Sequence, residues 1–414
     1  WKLTSNKKTS EYSNLDEATD ELDNLLSDVI RDQMISDVPL GAFLSGGIDS
    51  SLIVAKMQEL SGSRTKTFAI GFENKNYDES MYASDVANYL DTDHNQLVVS
   101  DKDVIKLALN ITDTYDQPFG DVSSLPTKLV SEFARSKVTV SLSGDAGDEL
   151  FCGYNRYSVF DRYYNIPFRN TLGKILNILP EQDIENFMKY IPSRNAKYIN
   201  ARRINKFKNM LAHSKNSKSN YHSLLISSTD IDNQNILISK ESIINDLQLD
   251  NEIDKKLTPL ENIMNEDILN YLPDNILVKV DRAAMSNSLE TRIPFLNHRI
   301  VEFSQNLDLK YKYSKIYGKK LILKNLLSRK IPKKLFDRPK KGFGVPIEEW
   351  LKGPLRDWMI SSLGKDQLKQ TGVLNYDSVS QIVSSFLNNN NIQGQLLWNI
   401  LMLQNWMIAN RISA

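Results

Sequence analysis

Apolar residues recur at helical spacing over residues 15–34, with Leu22, Leu25, Leu26, Val29 and Ile30 on one face. That pattern predicts an amphipathic helix. A continuous apolar run over 38–44 follows, then two adjacent glycines, then a helix-like run over 51–60. Residues 65–72, 96–99 and 137–142 read as further strands, and 77–90, 103–115 and 123–136 as helices. Strands alternating with helices predict an α/β fold, a parallel doubly wound sheet covered on both faces. Such sheets bind ligands beyond the carboxyl ends of their strands.

After about Tyr154 the strand signal fades. Residues 165–257 are rich in Asn, Ser, Lys and Ile, and 214–220 read as an exposed loop. Helical spacing returns at 260–271, 320–327, 378–387 and 395–410, so the second half is expected to be mostly α-helical and packed on or beside the sheet. The chain shows neither an internal repeat nor coiled-coil heptads.

Composition narrows the function classes. A chain of 414 residues with 41% apolar and 25% charged residues is ordinary for a globular protein, long enough for one large core or two domains. Lys+Arg equals Asp+Glu, so no global field draws it to nucleic acid. Cys152 is the single cysteine, which excludes an internal disulfide framework and a Cys-rich zinc site and fits a cytoplasmic setting. His94, His213, His222 and His298 lack metal-ligand spacing. No apolar run is long enough to cross a bilayer, and no signal peptide is evident, so a membrane partner is not expected. The chain opens on Trp1, and 1–14 read as an interdomain linker.

The first candidate for chemistry is Leu44-Ser45-Gly46-Gly47-Ile48-Asp49-Ser50-Ser51, joining the first strand to its helix. Paired glycines let backbone N–H groups approach an anion, and Ser50 and Ser51 are placed to cap a helix whose N-terminus favours negative charge. The phosphate-loop lysine of G-x-x-x-x-G-K-[ST] is missing, and Asp49 stands in the loop instead. A carboxylate beside phosphates needs a cation between them, so the expected ligand is a magnesium-bound nucleotide polyphosphate. A tight turn after a strand is the plainer alternative.

The geometry repeats where 137–142 run into Ser143-Gly144-Asp145-Ala146-Gly147-Asp148-Glu149. Near a nucleotide, Asp148 is positioned to join Asp49 as an oxygen ligand for Mg²⁺. Asp145 is then free to orient a reacting group or take a proton. An acidic helix start, favoured by the macrodipole, accounts for the same residues without chemistry.

Residues 45–50 (S-G-G-I-D-S) resemble the PP-loop of the ATP pyrophosphatase superfamily, whose members split ATP between the α and β phosphates. Residues 141–154 (S-L-S-G-D-A-G-D-E-L-F-C-G-Y) narrow this to a resemblance to the glutamine-hydrolysing asparagine synthetase family. Residues 116–124 (D-Q-P-F-G-D-V-S-S), 272–295 (L-P-D-N-I-L-V-K-V-D-R-A-A-M-S-N-S-L-E-T-R-I-P-F) and 338–346 (R-P-K-K-G-F-G-V-P) resemble its other signatures in the same order. Departures are Asp145 where Glu or Asp is usual, Ala146 for Gly, Gln117 for Glu, and Asn95-Gln96 after His94 where a His-Glu pair is frequent.

The resemblance implies that an aspartate β-carboxylate attacks the α-phosphorus of ATP. Pyrophosphate leaves, and ammonia converts β-aspartyl-AMP to asparagine and AMP. It implies ATP contacts at Leu44, Ser45, Gly46, Gly47, Asp49, Ser50, Ile70, Ser143 and Gly144, and Mg²⁺ held by Asp49 and Asp148. Asp145, Lys340 and Arg282 take the catalytic roles: intermediate formation, stabilisation of the phosphorus transition state, and phosphate contact. Strand core explains Leu44 and Ile70 equally well, and a solvated basic loop explains Lys340. Glu290 and Arg292 either shape the acceptor pocket or pair with each other, and Pro294, Phe295 and Trp350 read as packing.

Family members carry an N-terminal glutaminase domain with a cysteine nucleophile, which this sequence does not display. Residues 15–414 are therefore expected to form the synthetase unit, 15–155 as its nucleotide-binding core and 156–414 as a helical portion, working on free ammonia. A homodimer is left open. The alternatives are a β-lactam synthetase-like or peptide-cyclising homologue and an RNA-modifying PP-loop protein.

Overall fold

The computed structural model describes residues 12–73, 77–166, 168, 171, 236–238, 254–338, 345–388 and 394–413. Helix α1 (Leu15–Gln33) precedes strand β1 (Leu40–Phe43) and helix α2 (Ile48–Leu60). Then follow β2 (Lys66–Phe72), α3 (Ser80–Tyr89), β3 (Asp93–Val99), α4 (Asp101–Asn110), α5 (Ser124–Arg135), β4 (Val140–Leu142), α6 (Gly147–Leu150) and α7 (Asn155–Tyr164). Past the undescribed stretch come α8 (Pro259–Glu266), a π-helical segment (Asp267–Leu277), α9 (Val278–Met285), β5 (Glu290–Arg292), α10 (His298–Asn306) and α11 (Leu309–Lys312). A short hairpin, β6 (Tyr313–Ser314) and β7 (Gly318–Lys319), leads to α12 (Leu321–Ser328). Helices α13 (Ile347–Lys352), α14 (Arg356–Ser362), α15 (Lys365–Thr371), α16 (Tyr376–Leu387) and α17 (Gly394–Ala409) complete the described chain.

Five parallel strands form one sheet in the order β3-β2-β1-β4-β5. The expected strands are present, with β3 beginning at Asp93, three residues earlier than expected. The fifth strand, β5, is an addition in the half of the chain expected to be mostly α-helical. Its backbone is fixed by the neighbouring strand, since Glu290 N–H donates to Thr139 O at 2.9 Å and Ser143 N–H donates to Arg292 O at 2.8 Å.

Period-two alternation sorts β2 between two cores. Ala69 joins Leu22, Leu26, Leu52, Ile53, Leu142 and Leu323, which bring α1, α2 and α12 onto one face. Phe68, Ile70 and Phe72 join Leu125, Val130, Leu351, Leu397 and Trp398, which bring α5, α13 and α17 onto the other. Helix α2 is buried from Asp49 to Met57, with an apolar surface on nearly every side, as a helix at the centre of a fold must have. The order 3-2-1-4-5 reverses between β1 and β4. The loops leaving the carboxyl ends of those two strands lie side by side on the same face and border a crevice there.

Candidate active site

Both glycine turns sit at that crevice. Gly46 has φ +68°, and a Cβ on it would lie 2.7 Å from the Tyr82 carbonyl carbon, so the loop needs glycine on two counts. Gly47 is the N-cap of α2 and supplies no side chain. The expected hydroxyl caps are therefore not made. Ser50 instead ties the loop to itself, its Oγ accepting from Ser45 N–H at 3.2 Å and lying 3.0 Å from Ser45 Oγ.

The second turn lies directly on the first. A Cβ on Gly144 would stand 2.7 Å from Ser50 N, and one on Gly147 would stand 2.6 Å from Asp49 Oδ1. Glycine at these positions is what lets the two turns touch. Between them Ser143 Oγ donates to Asp145 Oδ2 at 2.5 Å.

The crevice deepens into a cavity of about 410 Å³. Leu44, Ser45, Asp49, Ser50, Ile70, Ser143, Gly144, Asp145 and Asp148 all line it, so nine of the sequence-predicted residues converge on one space. Its lining combines apolar side chains, among them Phe68, Ile70, Phe72, Val122 and Val130, with hydroxyls and carboxylates. Leu44 N–H donates to Phe68 O at 2.9 Å, so that group is spent in the sheet. Gly46 and Gly47 shape the loop behind the lining.

Other predicted residues lie elsewhere. The Arg282 Nε donates to Asp116 at 2.6 Å and a second guanidinium nitrogen contacts Asp281; its side chain is 42% exposed and outside the cavity lining. One helical turn earlier, Lys279 does line the cavity, donating to Asp121 Oδ2 at 3.2 Å and Ser123 Oγ at 2.9 Å. Burial works to lower the Lys279 ammonium, but Asp121 and Asp145 hold it above its ordinary range. Burial likewise works to raise Asp121, and Lys279 with Ser123 holds it below. Glu290 and Arg292 pair with each other at 2.6 Å, and Arg292 also donates to Gln33 O and Ile35 O, tying β5 to the end of α1. Phe295 packs on Phe151, and Trp350 packs on Phe72. Lys340 and the loop 339–344 lie outside the described residues; at its root Arg338 stacks on the Tyr82 ring, 3.3 Å from its centroid, and donates to Gly46 O.

Lys320 is the residue the sequence did not disclose. It precedes α12 with φ 55°, and its Nζ lies 2.5 Å from both Asp49 Oδ2 and Asp148 Oδ1. Burial works to lower its ammonium, yet the two carboxylates hold it above its ordinary range. Gly153 makes room, since a Cβ there would fall 1.9 Å from Asp148 Oδ1 and 2.1 Å from Lys320 Cε. Glu149, beside Asp148, is buried and accepts from Tyr154 OH at 2.5 Å. Burial pushes its carboxyl up to about 7, with the Asp148 and Asp145 charges adding to that rise and the Tyr154 hydrogen bond opposing it.

The donor set fits a magnesium ion that arrives with phosphates. Asp49 and Asp148 both line the cavity and meet at the Lys320 ammonium, and Asp49 Oδ1 is buried with no hydrogen-bond partner. Among the described residues no cluster of three or more ligating side chains occurs. The protein would thus offer a carboxylate pair and leave the remaining positions to phosphate oxygens and water, as Mg²⁺ usually requires.

The described residues contain no helix long and apolar enough to cross a membrane. Comparison with known proteins matches residues 21–408 to the family model described as asparagine synthase. "Asparagine synthetase [glutamine-hydrolyzing] 1" of Bacillus subtilis is 28% identical over 401 residues, covering 95% of this chain and 60% of the relative. "Putative asparagine synthetase [glutamine-hydrolyzing] 2" of Methanocaldococcus jannaschii is 46% identical over 156 residues, 37% of this chain and 30% of the relative. "Putative asparagine synthetase [glutamine-hydrolyzing]" of Mycobacterium bovis is 29% identical over 399 residues, 94% of this chain and 57% of the relative. The chain thus spans no more than about three fifths of the length of these relatives. With the family model running through both glycine turns and all five strands, the chain belongs to the asparagine synthase family.

Proposed function

We propose that this chain carries out the ATP-dependent step of amide formation, converting aspartate to asparagine through β-aspartyl-AMP. The observation that carries the reading is the contact of the two glycine turns beside one cavity whose lining holds hydroxyls and paired carboxylates together with apolar side chains. Cavities of this size suit a nucleotide. Phe68, Ile70 and Phe72 offer the adenine a dry surface, and Ser45 and Ser50 face the polyphosphate, with the Gly46–Gly47 turn shaping the loop that holds them. Lys279 supplies a cation on the π-segment side, and Lys340 is the proposed donor to the phosphorus transition state. Asp49 and Asp148 would hold Mg²⁺, which supplies charge neutralisation on the phosphates.

The chemistry balances in two steps. A carboxylate oxygen of aspartate attacks the α-phosphorus, an O–P bond forms, and the bond to the β-phosphate breaks with its electrons leaving on pyrophosphate. Ammonia then attacks the acyl carbon, loses a proton, and expels AMP with the electrons of the C–O bond. Asp145, held by Ser143, borders the space where the acyl group forms and orients it. Arg282 acts on phosphate only if it leaves Asp116, so its proposed role is secondary to that of Lys279.

Nitrogen is proposed to enter as ammonia. The relatives' names specify glutamine hydrolysis, which needs a nucleophile. Cys152 is unsuited to that task, because burial pushes its thiol up to about 12. Purified protein given ATP, Mg²⁺, aspartate and ¹⁵N-ammonium should release pyrophosphate and form ¹⁵N-labelled asparagine in equal amounts. Pyrophosphate release that ignores aspartate would reject this acceptor and turn attention to other carboxylates.

A further inference from the structure

We infer that Lys320 is the resident counter-charge of the metal-binding carboxylates, so that divalent cation enters this site together with nucleotide and not ahead of it. The inference rests on the nucleotide and magnesium reading above. Its physical basis is charge and space.

Lys320 is 5% exposed and absent from the cavity lining, so its ammonium reaches the Asp49–Asp148 pair from behind. Both N···O separations are 2.5 Å, and both acids belong to different glycine turns. The trio carries one net negative charge where the two acids alone would carry two. The neighbouring ammoniums make their hydrogen bonds elsewhere, Lys319 to Asn155 at 2.6 Å and Lys279 to Asp121 at 3.2 Å, although Lys319 also feels the Asp148 charge. A divalent ion entering without phosphates would therefore meet a pair already compensated and would sit close to a buried ammonium. ATP changes the sum. Its phosphates bring negative charge to the same place and offer acceptors to both the ion and Lys320.

The local build shows that this placement is specified. Lys320 holds a left-handed backbone angle that a lysine adopts at a cost, and Gly153 is the residue whose missing side chain admits the Lys320–Asp148 pair. Lysine is therefore a positioning residue here, aligning two acids that would otherwise repel.

The test is Mn²⁺ binding, followed by electron paramagnetic resonance, with thermal unfolding in Mg²⁺ or chelator as a second readout. Wild-type protein without nucleotide should bind Mn²⁺ weakly and unfold at the same temperature in Mg²⁺ and chelator. Lys320→Met removes the ammonium that Asp49 and Asp148 share and strands the buried Asp49 charge, so it should bind Mn²⁺ without nucleotide about tenfold tighter or more, and unfold earlier in chelator but not in Mg²⁺. Should Lys320→Met refold poorly, recovery should depend on added Mg²⁺, and recovery indifferent to Mg²⁺ overturns the inference. Lys320→Arg keeps the charge and should respond to metal as the wild type does. Tight nucleotide-free Mn²⁺ binding by the wild type, or an unchanged affinity in Lys320→Met, also overturns it. Failure of the underlying reading looks different: ATP with Mg²⁺ would then shift no melting temperature in any variant.

Discussion

Lys56 and Lys320 are both buried, and each ammonium stands between two carboxylates. On the outer side of α2, Lys56 lies 2.6 Å from Asp23 and 3.2 Å from Glu59, and Lys330 reaches the same two acids at 3.4 and 2.9 Å. Two positive and two negative groups close that network, which ties α1, α2 and the end of α12 together. At the crevice, Asp49 and Asp148 share Lys320, and Asp145 and Glu149 follow in the same turn. Burial pushes the Glu149 carboxyl up, and the Asp148 and Asp145 charges add to that rise. The difference teaches how to tell a structural charge cluster from a functional one. A balanced network satisfies itself, whereas an excess of one sign beside a cavity is a standing demand for a ligand of the other.

Removing one charge at each end of α2, Asp49 and Lys56, should break the comparison most clearly. Asp49→Asn is expected to cut pyrophosphate release by about a thousandfold while leaving the melting temperature nearly unchanged, because catalytic charge is lost and buried repulsion is relieved. Parallel steady-state assays and calorimetry read both quantities, and an active Asp49→Asn enzyme would contradict the site. Lys56→Met should do the reverse, costing about 3 kcal/mol of stability by stranding Asp23, with little change in KM for ATP. Denaturant titration measures the cost. A Lys56→Met protein of unchanged stability would mean that Lys330 alone balances the pair.

Asp121 sharpens the contrast with an effect of about 2 kcal/mol, typical of a hydrogen bond between charged groups. Its carboxyl is held below the ordinary range, so the folded state binds its proton less readily than the unfolded chain does. The stability it contributes is present above the unfolded carboxylate range and disappears as pH falls through the folded value. Asp121→Asn should therefore be less stable than wild type near neutrality, with the gap closing on the acid side. Urea midpoints from pH 3 to 7 would show a constant gap if Lys279 did not depend on Asp121.

Much of the site was legible because its signals are local. Two glycines after an apolar run, with a carboxylate where a lysine is usual, are neighbours in the chain, as are the acids of the second glycine turn, and together the two turns supply ten of the residues that line the cavity. The lysines were not legible in the same way. Lys279 sits in an amphipathic stretch beside Arg282, and only the helix phase, set by packing through Val280, Ala283 and Ala284, decides which cation turns inward. Lys320 opens the stretch 320–327 that reads only as a helix, and its partners lie 271 and 172 positions away. The available signal was the pair of lysines directly before an apolar helix, where a solvated charge is out of place. Strand β5 was hidden for a related reason. Glu290-Thr291-Arg292 has no apolar residue, and its extended backbone is imposed by β4 rather than by its own preference.

The two turns themselves allow the finest comparison, because Gly46 and Ala146 share a φ of 68°. At Gly46 a side chain is excluded by the Tyr82 backbone as well as by the angle, and glycine is present. At Ala146 the methyl is accommodated in the core, 2% exposed, so only the backbone angle opposes it. A left-handed residue with a Cβ costs roughly 1–2 kcal/mol, part of which is offset by buried methyl contacts and by glycine's greater unfolded-state freedom. Ala146→Gly should therefore raise stability modestly, by about 0.5–1 kcal/mol, and leave the magnesium-dependent nucleotide response intact. Denaturant midpoints measure the first quantity, and the melting shift on adding ATP with Mg²⁺ measures the second. A loss of stability would mean that the methyl's packing against its neighbours outweighs the strain, and that the second turn, unlike the first, is held by its side chain rather than by its backbone.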